Sequence, residues 1–108
     1  MGDLGNMMKQ AKKMYEDVQK TQEELAQERV EASSGGGMVK AVVSGTGEVI
    51  EIKINPQVVD ADDVEMLEDL VVTAVREALA NAKKIETDRM QAITGGMGGM
   101  GGGLGGLM

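Results

Sequence analysis

The sequence predicts an α+β protein in which a helix, three antiparallel strands and a second helix follow one another in α-β-β-β-α order. Two stretches with apolar residues at three- and four-residue spacing predict the helices, and alternating apolar and polar residues between them predict the strands. Glycine runs and a single proline separate these segments. With 108 residues, the chain is long enough for one small domain.

The first helix is predicted over residues 3–28, with an apolar face opposite a face that carries lysines. The apolar face consists of Leu4, Met7, Met8, Ala11, Met14, Tyr15, Val18 and Leu25. A helix of about 26 residues spans roughly 39 Å, whereas a compact 100-residue domain has a radius of gyration of only ~13 Å. One end of the helix is therefore expected to project from the body or to contact a partner chain.

The strands are predicted at residues 30–33, 38–44 and 48–55, and we interpret them as an antiparallel sheet with one polar face. In the last strand, the isoleucines at 50, 52 and 54 alternate with Glu51 and Lys53. This period of two is typical of a half-buried strand. Only one side of the strand is therefore expected to be apolar.

A tight Thr46-Gly47 turn is predicted to join the last two strands. The register that this turn implies sets Val39, Ala41 and Val43 opposite the three isoleucines. Lys40 then lies beside Lys53 on the other face, and this like-charge contact costs some stability unless an acidic residue is nearby.

The second helix is predicted to open at the acidic run of residues 60–63. Aspartate side chains cap helices, and their charge suits the positive end of the helix dipole. The helical periodicity weakens after Ile85, so the sequence does not predict one unbroken helix to Thr94.

The core contains no Phe and no Trp, so aliphatic side chains and Met must fill it. A single core of this size stabilises weakly, and two amphipathic helices present more apolar surface than one three-stranded sheet covers. We therefore expect a symmetric homodimer that buries the surplus. The side chains assigned to the core or the dimer interface are Met14, Val18, Leu25, Ile50, Ile52, Ile54, Leu67, Leu70 and Val71.

Residues 1–94 are assigned to the domain and residues 95–108 to a disordered tail. The last fourteen positions hold nine Gly, three Met and two Leu, and glycine carries the largest entropy cost on ordering. Methionine thioethers can bind Cu(I), but without His or Cys a disordered tail is favoured.

The residue types that most enzymes use are missing. The chain has no His and no Cys, so it lacks an imidazole proton shuttle, a thiolate nucleophile and the commonest metal ligands. An EF-hand loop counted from Asp60 would need Gly and Glu where Glu65 and Val71 stand, and the glycine turns lack a P-loop Lys-Ser/Thr. We predict no enzyme activity, no metal site and no cofactor.

Charge is unevenly distributed along the chain. The formal net charge is -7, which speaks against nucleic-acid binding by the ordinary charge criterion. Residues 60–94 hold nine acidic and four basic residues, whereas residues 7–20 hold four Lys and two acidic residues. By itself this basic segment is interpreted as the solvated face of an amphipathic helix. No stretch approaches the ~20 apolar residues of a membrane span, so a soluble cytoplasmic protein is expected.

Four segments, in order along the chain to about Met90, match one known pattern. They are Leu4-Gly5-Asn6-Met7-Met8-Lys9-Gln10-Ala11, Val39-Lys40, Ile52-Lys53-Ile54-Asn55-Pro56 and Glu65-Met66-Leu67-Glu68-Asp69-Leu70-Val71. With these segments the chain resembles the YbaB/EbfC family of small bacterial nucleoid-associated proteins. The last segment is the most specific of the four.

The resemblance implies an intertwined homodimer with projecting helices that binds double-stranded DNA with little sequence preference. It also implies a role in chromosome organisation and gene regulation at the nucleoid, and no catalytic residues. The competing hypothesis is an interaction module of the replication or recombinational repair machinery, in which the first helix presents its apolar face to a partner helix.

If the chain binds DNA, its contacts must be local, because a dimer carries about twice the net charge of -7. Phosphate contacts hold a protein on DNA without reading its sequence. The candidate contacts are Lys9, Lys12, Lys13 and Lys20, with Lys83, Lys84 and Arg89 as weaker candidates.

Overall fold

The secondary structure follows the predicted order in the computed structural model, which describes residues 3–95. The elements are α1 (Asp3–Gln27), β1 (Arg29–Ser34), β2 (Val39–Ser44), β3 (Val49–Ile54), a 3-10 turn (Pro56–Val58) and α2 (Val64–Ile93). The α+β prediction is therefore confirmed. Apart from Gly95, the tail predicted over residues 95–108 lies outside the described residues.

The three strands form one antiparallel sheet in the order β1-β2-β3. Lys40 lies opposite Lys53 and Ala41 opposite Ile52, as the sequence predicts. Glu31 approaches Lys40 at 3.7 Å, and Glu51 approaches Lys53 at 3.6 Å. These carboxylates offset the repulsion between the two lysines on the polar face of the sheet.

The predicted register is wrong at one end of the hairpin. Val43 pairs with Val49, and Ile50 is an extra residue that forms a β-bulge in β3. The cause is the loop, which closes through an amide of Ser44 that donates to the Glu48 carbonyl at 2.8 Å. Gly47 has φ +89° in this loop, so the connection is a three-residue loop with a left-handed glycine rather than the tighter turn.

The core lies between α2 and the strands β1 and β2. On the helix, the buried positions Ala74, Ala78 and Ala82 recur every four residues, and their small side chains bring α2 close to the sheet. The buried sheet residues of this cluster are Val30, Val39, Ala41 and Val43. The partly buried residues Ile52, Leu67, Leu70 and Val71 pack against this cluster.

The second helix runs unbroken from Val64 to Ile93, so the weakening predicted after Ile85 does not end it. Its N-cap is Asp63, whose carboxylate accepts a hydrogen bond from the Met66 amide at 3.2 Å. Beyond Ile85, Arg89 of α2 forms an ion pair with Glu28, the residue that follows α1. Because these two residues lie far apart in the sequence, the spacing of apolar residues along α2 does not predict their contact.

Candidate nucleic-acid interface

The first helix projects from the body of the protein. All residues from 3 to 13 are exposed, and the first half-buried residue is Met14. The helix is anchored at its other end, where Leu25 is buried and its carbonyl accepts a hydrogen bond from the Gly45 amide at 2.9 Å. A radius of gyration of 20.0 Å and a longest dimension of 73 Å reflect this projection.

The projecting part of α1 carries three of the candidate lysines. Between Leu4 and Tyr15 the chain holds Lys9, Lys12 and Lys13 and no acidic residue. Their three- and four-residue spacing places them on one face of the helix, and all three are exposed. In the part of the chain that the structure describes, none of these lysines forms an ion pair. We call these three residues the α1 lysine cluster.

Lys20 lies in a different environment. It is one of the residues that line an open cleft between α1 and the end of α2, together with Asp17, Glu24, Asp88 and Arg89. Three carboxylates and two cations meet in this cleft, so it attracts an anion less than the α1 lysine cluster does.

The three candidate cations of α2 are not gathered on one surface with that cluster. Lys83 lies beside the loop between β2 and β3 and pairs with Glu86 at 3.8 Å. Arg89 is engaged with Glu28 at 2.5 Å. Lys84 is exposed and belongs to none of the ion pairs within residues 3–95. A phosphate near Lys83 or Arg89 would compete with a carboxylate already present.

The opposite face of the projecting helix is apolar and uncovered in a single protomer. Leu4, Met7, Met8 and Tyr15 are each more than three-fifths exposed, at 63–67%. Exposed apolar area of this extent is typical of a surface that another chain covers. The helix thus combines a cationic face with a face suited to protein contact.

Sequence reasoning found these lysines but did not separate the free ones from the engaged ones. One signal for the α1 lysine cluster was present in the sequence, namely the acid-free interval between Asp3 and Glu16. No local signal pairs Arg89 with Glu28, because only the fold brings them together. Ile50 and Ile54, which the sequence assigned to the core or the dimer interface, are exposed in the single protomer, because α2 packs mainly over β1 and β2.

Two further features bear on other kinds of site. No group of three or more acidic residues within residues 3–95 is arranged to hold a metal ion. None of the helices in this part of the chain has the length and apolar character to cross a membrane.

The fold and this surface define a class of protein: a small α+β domain whose anchored helix projects a cationic face. The chain belongs to the YbaB/EbfC DNA-binding family, whose family model matches residues 1–97. The resemblance noted in the sequence is therefore confirmed, and with it a DNA-binding protein.

Individual relatives agree with this assignment. A nucleoid-associated protein of Thermoanaerobacter pseudethanolicus is 56% identical over 95 residues, covering 88% of this chain and 86% of that protein. A nucleoid-associated protein of Acetivibrio thermocellus is 50% identical over 97 residues, covering 90% of this chain and 86% of that protein. The crystal structure of an uncharacterized protein from Helicobacter pylori has the same fold, with a TM-score of 0.62 at 19% identity over 72% of this chain and 90% of that one.

Proposed function

We propose that the chain is a nucleoid-associated protein that binds duplex DNA as a homodimer through the α1 lysine cluster, with little sequence specificity. The observation that carries the proposal is the uninterrupted positive charge of Lys9, Lys12 and Lys13 on the exposed part of α1. Membership of a DNA-binding family supports it. The nucleoid-associated relatives support a role in chromosome organisation and gene regulation.

Low sequence specificity follows from the chemistry of the contacts. Lysine ammonium groups bind phosphate oxygens, which are the same at every base pair, whereas sequence is read by groups that reach base edges. The α1 lysine cluster consists of three lysines, whose flexible side chains each end in a point charge. We therefore expect phosphate contacts to dominate.

The net charge of -7 limits the range over which the protein can attract DNA. Long-range attraction between an acidic protein and DNA is unfavourable, so the interaction must act within a Debye length of ~8 Å at physiological salt. The acidic residues of α2 and the lysines of α1 lie on different elements, which lets α1 approach phosphates ahead of the negative body. Affinity is expected to be modest.

Reversal of the cluster tests the proposal. The variant Lys9→Glu/Lys12→Glu/Lys13→Glu should lose a duplex DNA gel shift, while sedimentation shows the same oligomer as the unaltered protein. All three positions are exposed, so folding is expected to be unaffected. A full gel shift from this variant would rule out the α1 lysine cluster as the DNA contact.

A matched pair of variants controls for total charge. Lys9→Glu/Lys13→Glu and Lys83→Glu/Lys84→Glu change the net charge equally, but only the first pair lies on α1. We expect the α1 pair to lose most binding and the α2 pair to lose little. Equal losses would mean that binding follows net charge and not the cluster.

The homodimer is supported by the apolar surface that one protomer leaves uncovered. Leu4, Met7, Met8 and Tyr15 on α1 and Ile54 on β3 are exposed in the single chain, and a two-fold interface could bury part of this area. Light scattering at micromolar concentration should give twice the protomer mass, and a stable monomer would contradict this part of the proposal.

The proposal assigns no catalytic step to this protein. A role as an interaction module of the replication or repair machinery remains the alternative, in which the apolar face of α1 binds a partner helix. This alternative predicts DNA binding too weak to survive moderate salt and co-purification with a protein partner. The DNA-binding family assignment favours the first reading.

A further inference from the structure

One glycine of the projecting helix is not required by the fold. Gly5 is the third residue of α1 and, among residues 3–95, it is the one glycine that lies within α1, α2 or a strand. Its φ angle is not in the left-handed region, and no atom of the described residues would lie within 4 Å of a Cβ added to it. An alanine would therefore fit at this position.

The cost of this glycine makes its position informative. Glycine in a helix is less favourable than alanine, because it loses more conformational freedom on folding. Residues 7–13 consist of Met, Lys, Gln and Ala, all of which are strong helix formers. By contrast, Gly47 has φ +89°, and a Cβ on Gly45 would lie 2.7 Å from a backbone oxygen. Those two glycines serve the fold, whereas Gly5 points to a contact outside the protomer.

Gly5 lies on the lysine face of α1. At about 100° per residue, Lys12 and Lys9 lie about 20° and 40° around the helix from Gly5, on opposite sides of it. Lys13 lies about 80° away, beyond Lys9, and Asp3 lies about 160° away. All five residues are exposed. The glycine therefore lies on the line between Lys9 and Lys12, and the nearest acidic residue faces away from it.

The side chains of these two lysines extend back towards the glycine. In an α-helix, side chains lean towards the N-terminus, so each covers the surface of the preceding turn. Lys9 follows Gly5 by about one turn and Lys12 by about two turns. A phosphate held by their ammonium groups would approach the helix backbone at Gly5, where no side chain stands in its way.

We propose that Gly5 is the point at which the backbone of α1 lies against the sugar–phosphate backbone of duplex DNA, with Lys9 and Lys12 on either side of the contact. The inference rests on the DNA binding of the proposed function and adds to it a positioning residue that carries no charge. Gly5 acts through the two lysines, because the missing side chain lets the helix come close enough for both to reach phosphates.

Close approach suits an acidic protein that binds DNA through few lysines. The attraction between two opposite charges rises as their separation falls, and at physiological salt separations beyond ~8 Å contribute little. A side chain at position 5 would hold α1 further from DNA. Lys9 and Lys12 would then have to extend fully to reach the phosphates, which costs them side-chain entropy.

A graded series at position 5 provides the first test. Alanine and glutamine are both better helix formers than glycine, so Gly5→Ala and Gly5→Gln should keep the helicity and the midpoint of thermal unfolding of the unaltered protein, or raise them. Affinity for a short duplex, measured by fluorescence anisotropy, should fall about threefold for Gly5→Ala and about tenfold for Gly5→Gln as the ammonium groups are held away from phosphates. Unchanged or higher affinity of Gly5→Gln would overturn the proposal.

A matched control adds the same bulk elsewhere on α1. Ala26 is exposed at the anchored end of the helix, roughly 30 Å along the axis from Gly5. Ala26→Gln should leave the affinity for the duplex within about twofold, because surface substitutions away from a contact have small effects. An equal loss of affinity in Ala26→Gln and Gly5→Gln would overturn the close contact at Gly5.

Added charge provides the second test. Gly5→Lys and Asn6→Lys each add one positive charge at an exposed position of α1, and charge alone predicts tighter DNA binding by both. Because the long side chain of Gly5→Lys fills the surface between Lys9 and Lys12, we expect this variant to bind at least about fivefold more weakly than Asn6→Lys. Equal affinities of the two variants would show that position 5 responds to charge and not to close approach, which would overturn the proposal.

The outcomes separate this inference from the proposed function. Loss of binding by Lys9→Glu/Lys12→Glu/Lys13→Glu together with unchanged binding by Gly5→Gln overturns the role of Gly5 and leaves the proposed function standing. Full binding by the triple variant contradicts the proposed function itself. Sedimentation of Gly5→Gln should show the oligomer of the unaltered protein. Loss of that oligomer together with loss of DNA binding would assign Gly5 to a contact between chains and overturn the proposal.

Discussion

At the scale of single residues, the attachment of α1 depends on a close contact at Gly45. Its amide donates to the Leu25 carbonyl at 2.9 Å. A Cβ at this position would lie 2.7 Å from that same oxygen, closer than side-chain carbons approach backbone atoms. Gly45 is required here for proximity, and the requirement sets where the projecting helix is fixed to the sheet.

Gly45→Ala is therefore expected to lower the free energy of unfolding by about 1–3 kcal/mol, because the backbone of α1 or of the loop must move. Thermal or denaturant unfolding measures this loss. Gly5→Ala is the matched control: no atom lies within 4 Å of its added carbon, and alanine favours a helix by up to about 1 kcal/mol. A Gly45→Ala protein as stable as Gly5→Ala would disprove the close contact.

A second residue-scale contact joins β1 to α2. The Ser34 hydroxyl donates to the Leu70 carbonyl at 2.5 Å in a partly buried position. Ser34→Ala should cost about 1 kcal/mol of stability, since the carbonyl loses a partner that water replaces only in part. The neighbouring Ser33 is exposed, so Ser33→Ala should stay within about 0.5 kcal/mol. Indistinguishable unfolding of the two variants would argue against the hydrogen bond.

At the scale of elements, the last turns of α2 are joined to the end of α1 by one ion pair. The Arg89 and Glu28 side chains are 39% and 35% exposed, so water and salt screen their attraction. This contact contributes to the attachment of α2 beyond Ile85, where the apolar periodicity of the sequence fades.

A double-mutant cycle with Glu28→Gln and Arg89→Gln measures that contact. We expect a coupling free energy of about 0.2–1 kcal/mol at low salt, the range of partly exposed pairs. The coupling should shrink as ionic strength rises. A value of zero at low salt, or one that salt leaves unchanged, would contradict the role given to this pair.

The elements also show which parts of the structure the sequence could predict. The periodicity of α1 and the alternation in β3 are local, and both elements were predicted with their faces. The bulge at Ile50 depends on the loop conformation of Gly47, and the ion pair of Arg89 with Glu28 forms only when the fold brings the two residues together. These features arise from backbone twist and long-range contact, which residue spacing does not encode.

The same distinction applies to the candidate site. The α1 lysine cluster could be found from the sequence, because exposure on a projecting helix follows from helix length and from the acid-free interval. The engagement of Lys83 with Glu86 and of Arg89 with Glu28 appears only in the fold. Lys83 and Arg89 were predicted as phosphate contacts from their charge alone. Each forms an ion pair with a carboxylate, which a DNA phosphate would have to displace.

At the scale of the whole molecule, net charge and local charge act in opposite directions. The chain has a formal net charge of -7. In the exposed part of α1 between Leu4 and Tyr15, however, the only charged residues are lysines. At an ionic strength where charges beyond ~8 Å are screened, DNA in contact with the start of α1 experiences the three lysines more than the acidic residues of α2. We therefore expect DNA to be bound through a few phosphate contacts, each of which adds to the salt dependence of the affinity.

Binding of DNA through a few lysines is tested by the salt dependence of the affinity for a short duplex. Fluorescence anisotropy measures this affinity for the unaltered protein and for Lys9→Gln/Lys12→Gln/Lys13→Gln. Each phosphate neutralised contributes about -0.9 to the slope of log Kobs against log salt concentration. We expect the slope of the variant to be shallower by roughly 2.7 for each α1 helix in contact with DNA. A variant slope equal to that of the unaltered protein would contradict it.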